Sequence, residues 1–253
     1  MTDTRHAGAG EQPAAISRRR FVGSAAALAG IAIAPGLLFF EFAHGDRKSP
    51  GASARVRWGM LVDTTRCTNG CTACVDACRG ENGLPAATWP TDPQWIRKVE
   101  LREKKTGRAH SLPMMCQHCA HPPCVDVCPT GASFKRADGI VLVDRHTCIG
   151  CRYCMMACPY KARSFVHENL TGQKPDVPRG KGSVEACTLC VHRIDRGAQP
   201  ACVEACGTAG FAALVFGDLN DPSSEIARRV RERATSQVRA DLRLDTAVRY
   251  QGL

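Results

Sequence analysis

The sequence predicts an α+β fold made of a repeated unit, in which a short strand leads into a cysteine-rich loop and then into a short helix. Two observations predict this fold. The 253 residues contain 16 cysteines, which fall into four groups of four with similar spacing. Segments in which apolar and polar residues alternate lie beside the groups, and alternation with a period of two is typical of strands.

The composition indicates that a bound group helps to fill the interior. Only 8 Phe, 3 Tyr and 3 Trp accompany the 16 cysteines, which is little apolar bulk to offset about 1–2 kcal/mol of backbone entropy per residue. The chain has no Gly-X-Y repeat, no sustained heptad pattern and no second long apolar run. Collagenous, coiled-coil and multi-span membrane proteins are therefore excluded.

The first 54 residues have the pattern of an export signal. Three arginines at residues 18–20 precede a weakly apolar run at residues 21–40, which is typical of a twin-arginine signal that addresses folded cargo to its export machinery. Small residues at 52–54 offer a cleavage site, and an uncleaved membrane anchor is the alternative. We therefore expect a signal at 1–54, a cysteine-bearing domain at 55–222 and a C-terminal helix and tail at 223–253.

The four cysteine groups have spacings that suit the ligands of metal centres. In chain order they are Cys67, Cys71, Cys74 and Cys78; Cys116, Cys119, Cys124 and Cys128; Cys148, Cys151, Cys154 and Cys158; and Cys187, Cys190, Cys202 and Cys206. The third group has the spacing C-x2-C-x2-C-x3-C-P, which is that of bacterial iron-sulfur proteins. All 16 thiolates are thus candidate ligands, and none is left as a catalytic nucleophile.

This spacing has a physical reason. Three thiolates must surround three iron corners of one cube, which requires a tight loop, and Ile149-Gly150 leaves room for it. The fourth thiolate enters a helix, points away and binds the second cluster of a pair. Eight disulfides are an alternative in an exported protein, and zinc is an alternative for group four alone, because its two C-x2-C-like pairs flank a longer loop.

Three features together resemble the four-cluster iron-sulfur subunits of the dimethyl sulfoxide reductase type. They are the order of the four groups, the segment CQHCAHPPC at residues 116–124 and the segment FGDLNDP at residues 216–222. The resemblance covers roughly residues 56–224 and implies duplicated bacterial ferredoxin-like units wrapped around four [4Fe-4S] clusters. Group one departs from the usual C-x2-C, because Thr68-Asn69-Gly70 separates its first two thiols, so the shape of that site is expected to differ.

The resemblance also implies how the thiols are shared among the clusters. The first set would be Cys67, Cys71, Cys74 and Cys206; the second set Cys187, Cys190, Cys202 and Cys78; the third set Cys116, Cys119, Cys124 and Cys158; and the fourth set Cys148, Cys151, Cys154 and Cys128. Groups two and three would then form an inner unit, and groups one and four would close around it.

The segments between the groups predict individual elements. Alternation predicts strands at 57–63, 139–144 and 210–216. Residues 96–114 predict a hairpin that turns at Thr106-Gly107 and has a basic tip, and a solvated loop is the alternative. Residues 166–183 form a polar connection, and 223–238 predict a charged helix with a narrow apolar stripe, a surface or interface helix rather than a core one.

Cationic residues near the groups would stabilise the reduced form of a cluster, or would be solvated or ion-paired. They are Arg66, Arg79, Arg152, Lys161, Arg163 and Arg193. No substrate-activating motif and no nucleic-acid-binding motif is present, so no enzyme active site is expected.

These features predict a periplasmic electron-transfer subunit that is held at the membrane by its partners. By resemblance, the partners would be an NrfD-like integral membrane subunit that reacts with quinone and a multihaem cytochrome or other redox subunit of a sulfur-metabolism complex. A molybdopterin oxidoreductase of the tetrathionate or polysulfide reductase type is the first alternative complex. A soluble ferredoxin-like carrier or redox sensor is the second alternative.

Overall fold

The computed structural model describes residues 51–253. The paired arginines and the apolar run of the predicted signal lie outside the described residues. The strands of the described part are β1 (Trp58–Asp63), β2 (Ile96–Arg102), β3 (Ala109–Met115), β4 (Ser133–Lys135), β5 (Val141–Val143), β6 (Arg163–Phe165), β7 (Val184–Ala186), β8 (Leu214–Asp218), β9 (Thr235–Ser236) and β10 (Val248–Gln251). The helices are α1 (Ala73–Asn82), α2 (Pro123–Asp126), α3 (Tyr153–Ala157), α4 (Val191–Ile194), α5 (Ala201–Thr208), α6 (Glu225–Glu232) and a 3-10 turn at Ala240–Leu242.

A four-stranded sheet with the order β8-β1-β10-β9 holds the two ends of the described chain together. Strand β1 pairs antiparallel with β8, in the register Met60↔Phe216, and parallel with β10, in the register Met60↔Val248. Met60 is fully buried. The sheet forms one wall of the core into which groups one, two and four also project.

The strands and the hairpin that the sequence predicts are present. The expected strands at 57–63 and 139–144 correspond to β1 and β5, whereas the strand expected at 210–216 begins only at Leu214, as β8. The hairpin at 96–114 is formed by β2 and β3, paired from Ile96↔Met115 to Arg102↔Ala109. The remaining strands form two further hairpins, β4 with β5 and β6 with β7, each between two cysteine groups.

The C-terminal segment forms the predicted charged helix with its apolar stripe, but the helix is shorter than expected and two strands follow it. Helix α6 begins after Ser224, whose hydroxyl accepts a hydrogen bond from the Ala227 amide at 3.2 Å, and it ends at Glu232 rather than near 238. Ile226 is fully buried against Leu61 and Val215, because burial of its apolar stripe on the sheet is favourable. The segment then supplies β9 and β10, so the C-terminal part completes the central sheet.

Prolines decide how long the helix of each cysteine group is. Groups two and three end in Cys128-Pro129 and Cys158-Pro159, and their helices α2 and α3 have 4 and 5 residues. A residue before proline avoids the helical conformation, and Cys158 accordingly has an extended ψ of 111°. Groups one and four lack this proline, so α1 and α5 continue for 10 and 8 residues.

The polar connection at 166–183 is anchored by a buried ion pair. The Arg179 guanidinium lies 2.7 Å from the Glu185 carboxylate, and both side chains are almost fully buried. Arg179 also donates to the Gly83 carbonyl at 2.9 Å, just after α1. The pair therefore ties the strand before group four to the helix of group one.

Among residues 51–253, no helix combines the length and the apolar character needed to cross a bilayer.

Four cysteine sets form the candidate functional site

All sixteen cysteines carry free thiols, and eleven of them are buried. Cys151 alone is exposed, and the other four are half-buried. The eight-disulfide alternative therefore finds no support in the structure. No group of three or more His, Cys, Asp or Glu side chains in residues 51–253 converges tightly enough to chelate one metal ion; the thiols instead surround cavities.

The first cavity joins group one to the end of group four. Its lining includes Cys67, Cys71, Cys74 and Cys206. Helices α1 and α5 bring these residues together, because α1 carries Cys74 and α5 carries Cys206. The four thiols are those of the first set implied by the family resemblance.

A second cavity joins group three to the last thiol of group two. Its lining includes Cys128, Cys148, Cys151 and Cys154. Cys154 lies in α3, whereas Cys128 lies two residues beyond the end of α2. These thiols are those of the fourth set.

The electrostatics of the buried thiols show that the second and third sets also assemble. Burial raises the pKa of Cys187 well above its ordinary value, and Cys78, Cys202 and Cys190 raise it further. Burial likewise raises the pKa of Cys119 to about 12, with further contributions from Cys116, Cys124 and Cys158. Apart from burial, the groups that raise each pKa are the other members of the same set.

Such clusters of thiols are chemically suited to a cationic metal centre. Four thiolates crowded into a low-dielectric core repel each other and would hold their protons. A metal that coordinates thiolates supplies the positive charge that removes this penalty. Protein thiolates are the usual ligands of [4Fe-4S] clusters.

Each cysteine loop contains a turn through the left-handed region. Group one has Gly70 (φ +77°), group two His118 (φ +43°), group three Gly150 (φ +71°) and group four Cys190 (φ +53°). A Cβ on Gly150 would lie 2.2 Å from the Gly182 carbonyl oxygen. The room that the sequence attributes to Gly150 is thus required by a neighbouring backbone.

Hydrogen-bond donors surround the sulfur atoms. Backbone amides of Ala213, Ser133 and Leu189 lie 3.2, 3.4 and 3.4 Å from the sulfurs of Cys206, Cys128 and Cys187. Such bonds stabilise thiolates and tune the potentials of iron-sulfur clusters. Every set thus has at least one donor: Lys98 also reaches Cys67 Sγ at 3.1 Å, and Arg163 reaches Cys124 Sγ, in the third set, at 3.1 Å.

Buried polar atoms without a protein partner also lie at the cysteine groups. His118, Tyr160 and Thr188 each stand within two residues of a candidate ligand, and His118 Nε2, Tyr160 Oη and Thr188 Oγ1 have no protein partner. His118 Nδ1 accepts the Val141 amide at 3.0 Å, and burial lowers the His118 pKa to about 3. A neutral ring that accepts through Nδ1 carries its proton on Nε2. These three groups would be available as hydrogen-bond donors to a group bound at the cysteines.

The cations that the sequence places near the groups have different roles. Arg193 is paired with Glu81 and Glu204, and Arg79 is paired with Asp76. Arg152 lies over the Phe165 ring, 3.9 Å from its centroid. Arg66 and Lys161 are exposed.

Arg163 and Lys98 differ from the cations described above because each contacts a cysteine sulfur. Arg163 is buried and bound to a thiol. Lys98, which the sequence does not single out, contacts a thiol 31 residues away, and no local pattern could have indicated that contact.

Large apolar side chains are exposed around Cys151. Ile149, Tyr153 and Met156 have exposures of 67%, 58% and 74%. Exposed apolar patches are typical of interaction sites. The most accessible thiol of the sixteen therefore lies in an apolar surface.

Two family models match the chain, and both describe a 4Fe-4S dicluster domain. One covers residues 66–132 and the other covers residues 108–218. All sixteen cysteines fall within the matched residues.

Relatives among curated proteins cover most of the chain. The Hdr-like menaquinol oxidoreductase iron-sulfur subunit 1 of Archaeoglobus fulgidus is 46% identical over 226 residues, covering 78% of this chain and 84% of that protein. A tetrathionate reductase subunit of Salmonella typhimurium is 39% identical, covering 83% of this chain and 77% of that protein. Protein NrfC of Escherichia coli is 43% identical, covering 71% and 74% respectively.

Proposed function

We propose, from the premise that the chain belongs to the 4Fe-4S dicluster family, that it is a periplasmic electron-transfer subunit of a membrane-associated oxidoreductase complex. Proteins of this family are electron-transfer subunits and are not themselves catalytic. Two dicluster domains and sixteen cysteines give the chain four [4Fe-4S] clusters.

The observation that carries the proposal is that Cys67, Cys71, Cys74 and Cys206 line one cavity and that Cys128, Cys148, Cys151 and Cys154 line another. When bound, a [4Fe-4S] cluster accepts and releases one electron at a time. In this proposal the chain's residues hold four such groups, exclude water from most of the ligands and donate hydrogen bonds to the sulfurs. We assign the four sets of thiols implied by the family resemblance as the cluster ligands.

The finer assignment concerns the complex. A twin-arginine segment of its own and the run CRYCMMACPYKARSF at residues 151–165 resemble DsrO, the periplasmic subunit of the sulfite-reduction-associated DsrMKJOP complex. In this assignment the chain exchanges electrons with an NrfD-like integral membrane subunit and with a multihaem cytochrome or other redox subunit. The menaquinol oxidoreductase subunit that is 46% identical supports a link to quinone.

The surface around Cys151 supports a docking role at the membrane subunit. An electron-transfer protein needs one cluster that lies near its surface, where a partner can exchange electrons with it. Cys151 is the exposed thiol among the proposed cluster ligands. The surrounding Ile149, Tyr153 and Met156 offer apolar contact area of the kind that stable interfaces bury. We assign this patch to the NrfD-like subunit.

The predicted export signal completes the proposal. Residues 1–54 would direct the folded, cluster-loaded protein across the membrane, and residues 55–253 would form the mature protein. Association with the membrane would then depend on the partner subunits. Copurification with a membrane subunit after signal removal supports this arrangement, whereas a purely soluble mature protein contradicts it.

A second candidate is the electron-transfer subunit of a molybdopterin oxidoreductase. The specific observation in its favour is the 39% identity to the tetrathionate reductase subunit over 83% of this chain. Affinity purification of the chain from its membranes, followed by identification of the copurified subunits, separates the two. A haem-containing subunit supports the first assignment, and a large molybdopterin-containing subunit supports the second.

A further inference from the structure

Lys98 is placed by the β2–β3 hairpin beside the first set of thiols. Its ammonium group donates to Cys67 Sγ at 3.1 Å and to the Thr68 carbonyl oxygen at 3.1 Å. The pairing of Lys98 with Pro113 across the hairpin fixes its position in the strand. Two acceptors at hydrogen-bond distance define one position for a side chain that otherwise has many rotamers.

The charge of Lys98 has no carboxylate partner among residues 51–253. The same holds for every other cation of the hairpin, and these are Arg97, Arg102, Lys104, Lys105 and Arg108. The nearest carboxylate on the strand, Glu100, instead accepts from the Ser111 hydroxyl at 2.6 Å. The positive charge of Lys98 is therefore directed at sulfur.

The second set has a different environment, because no lysine or arginine among residues 51–253 donates a hydrogen bond to its sulfurs. Cys78 Sγ receives a neutral amide bond from Asn82 at 3.6 Å, and the Glu81 carboxylate near this set is itself paired with Arg193 and His192. The two sites that share α1 and α5 thus differ in that only the first has a cation in contact with a thiol. A charge difference at this range changes the free energy of adding an electron.

The loop that contains the extra residue of group one provides the second hydrogen-bond acceptor of Lys98, the Thr68 carbonyl oxygen. Thr68-Asn69-Gly70 forms a wider loop, with Gly70 in the left-handed region at φ +77°. Asn69, Gly70 and Lys98 line a common surface groove between this loop and the hairpin. The Thr68 carbonyl oxygen of this loop accepts a hydrogen bond from the Lys98 ammonium group. The loop with the unusual spacing therefore helps to hold Lys98 beside Cys67.

We propose that Lys98 is a positioning residue that sets the reduction potential of the first cluster, held by Cys67, Cys71, Cys74 and Cys206. The inference rests on the proposed ligand sets. One electron added to the cluster brings one negative charge next to the ammonium group, which stabilises the reduced form and raises the potential.

The test is a redox titration of the full-length protein, purified anaerobically and followed by electron paramagnetic resonance. Dithionite supplies each electron, and the signal missing from a Cys206→Ser variant identifies the first cluster. We expect Lys98→Met to weaken electron uptake by this cluster about tenfold, which is about 59 mV for a one-electron couple. The other three midpoint potentials stay unchanged, and Lys98→Arg restores most of the shift.

Lys104→Met is the matched control, because it removes an exposed cation of the same hairpin that has no sulfur contact. An unchanged first potential in Lys98→Met, or an equal shift in Lys104→Met, overturns the proposal. If Lys98→Met loses the cluster, Lys98→Gln, which keeps a neutral donor, is titrated instead. A lowered potential in that variant supports the proposal, and loss of the cluster or an unchanged potential in it overturns the proposal.

Measurement of the iron and acid-labile sulfide content distinguishes a wrong role for Lys98 from a wrong assignment of the cluster ligands. Wild-type protein with four clusters, of which Cys206→Ser removes or converts one, supports the assignment whatever Lys98 does. Four unaltered clusters in Cys206→Ser contradict the assignment itself.

Discussion

Arg163 donates a hydrogen bond from its guanidinium group to Cys124 Sγ at 3.1 Å, in the buried interior and with no carboxylate at hand among residues 51–253. Its other partner is the Ser133 hydroxyl at 2.6 Å. Burial acts to lower the pKa of Arg163, but the charges of Cys124, Cys116 and Cys154 raise it above its ordinary value. Because these thiols belong to the third and fourth sets, one buried cation serves both inner sites.

Replacement of Arg163 by Met should weaken both inner sites. The change removes a charged hydrogen bond worth about 1.5–3 kcal/mol and the counter-charge of the thiolates. We expect faster loss of cluster absorbance on anaerobic heating. Lys161→Met, which removes an exposed cation two residues away, is the control, and equal bleaching rates in the two variants would contradict the role of Arg163.

Replacement of Cys151 by Ser should remove or convert one cluster and reduce export of folded protein. The exposed position of Cys151 means that the substitution leaves no internal cavity, so the effect reports ligation. We expect the loss of up to a quarter of the bound iron, measured by iron and sulfide analysis. Iron content equal to that of the wild type would disprove the ligand assignment.

Replacement of Gly150 by Ala should destabilise the third cysteine loop. A Cβ there would lie 2.2 Å from the Gly182 carbonyl oxygen, in a residue with φ +71°, and strain plus overlap cost roughly 2–5 kcal/mol. Gly172 also has a positive φ, of +63°, but has open space around it, so Gly172→Ala isolates the conformational strain. The steric argument requires Gly150→Ala to unfold at a clearly lower temperature than Gly172→Ala.

Replacement of Glu185 by Gln should leave Arg179 as an uncompensated buried charge. Breaking such a pair costs about 3–5 kcal/mol, and here it also loosens the link to the end of α1. Thermal unfolding of the holoprotein measures the loss. Asp176→Asn breaks the exposed pair with Arg196, which is at 2.7 Å, and should leave the unfolding temperature unchanged; similar losses in both variants would contradict the prediction.

Replacement of Arg18 and Arg19 by Lys should retain the precursor in the cytoplasm, because paired arginines are the feature that the exporter of folded proteins reads. Cell fractionation and immunoblotting measure the distribution. Efficient export of the double variant would show that residues 1–54 are not a twin-arginine signal.

The cysteine spacing predicts much of the structure because each group is a local motif. The spacing of group three predicts both its loop and the effect of its proline. The structure adds why residue 150 is glycine, because a side chain there would meet the distant Gly182 carbonyl oxygen. The helices that end the four groups, α1, α2, α3 and α5, follow from the same local pattern. Their lengths follow from Pro129 and Pro159 in two groups and from the absence of proline in the others.

Contacts between distant parts of the chain are not predictable in this way. The run Val248–Gln251 alternates but is only 4 residues long, and no local signal pairs it with Met60. The contact between Lys98 and Cys67 likewise depends on how the hairpin lies against group one. The apolar stripe of α6 includes Ile226, but no local signal shows that this side chain packs against Leu61 and Val215 of the sheet.

The parallel pairing of β1 with β10 has a consequence for biosynthesis. Every cysteine lies between these two strands in the chain, so β1 emerges from the ribosome long before the neighbour that it needs. The pairing of β1 with β10 therefore cannot form until the last cysteine has been translated. In the export route proposed above, all sixteen cysteines are therefore synthesised before the central sheet is complete.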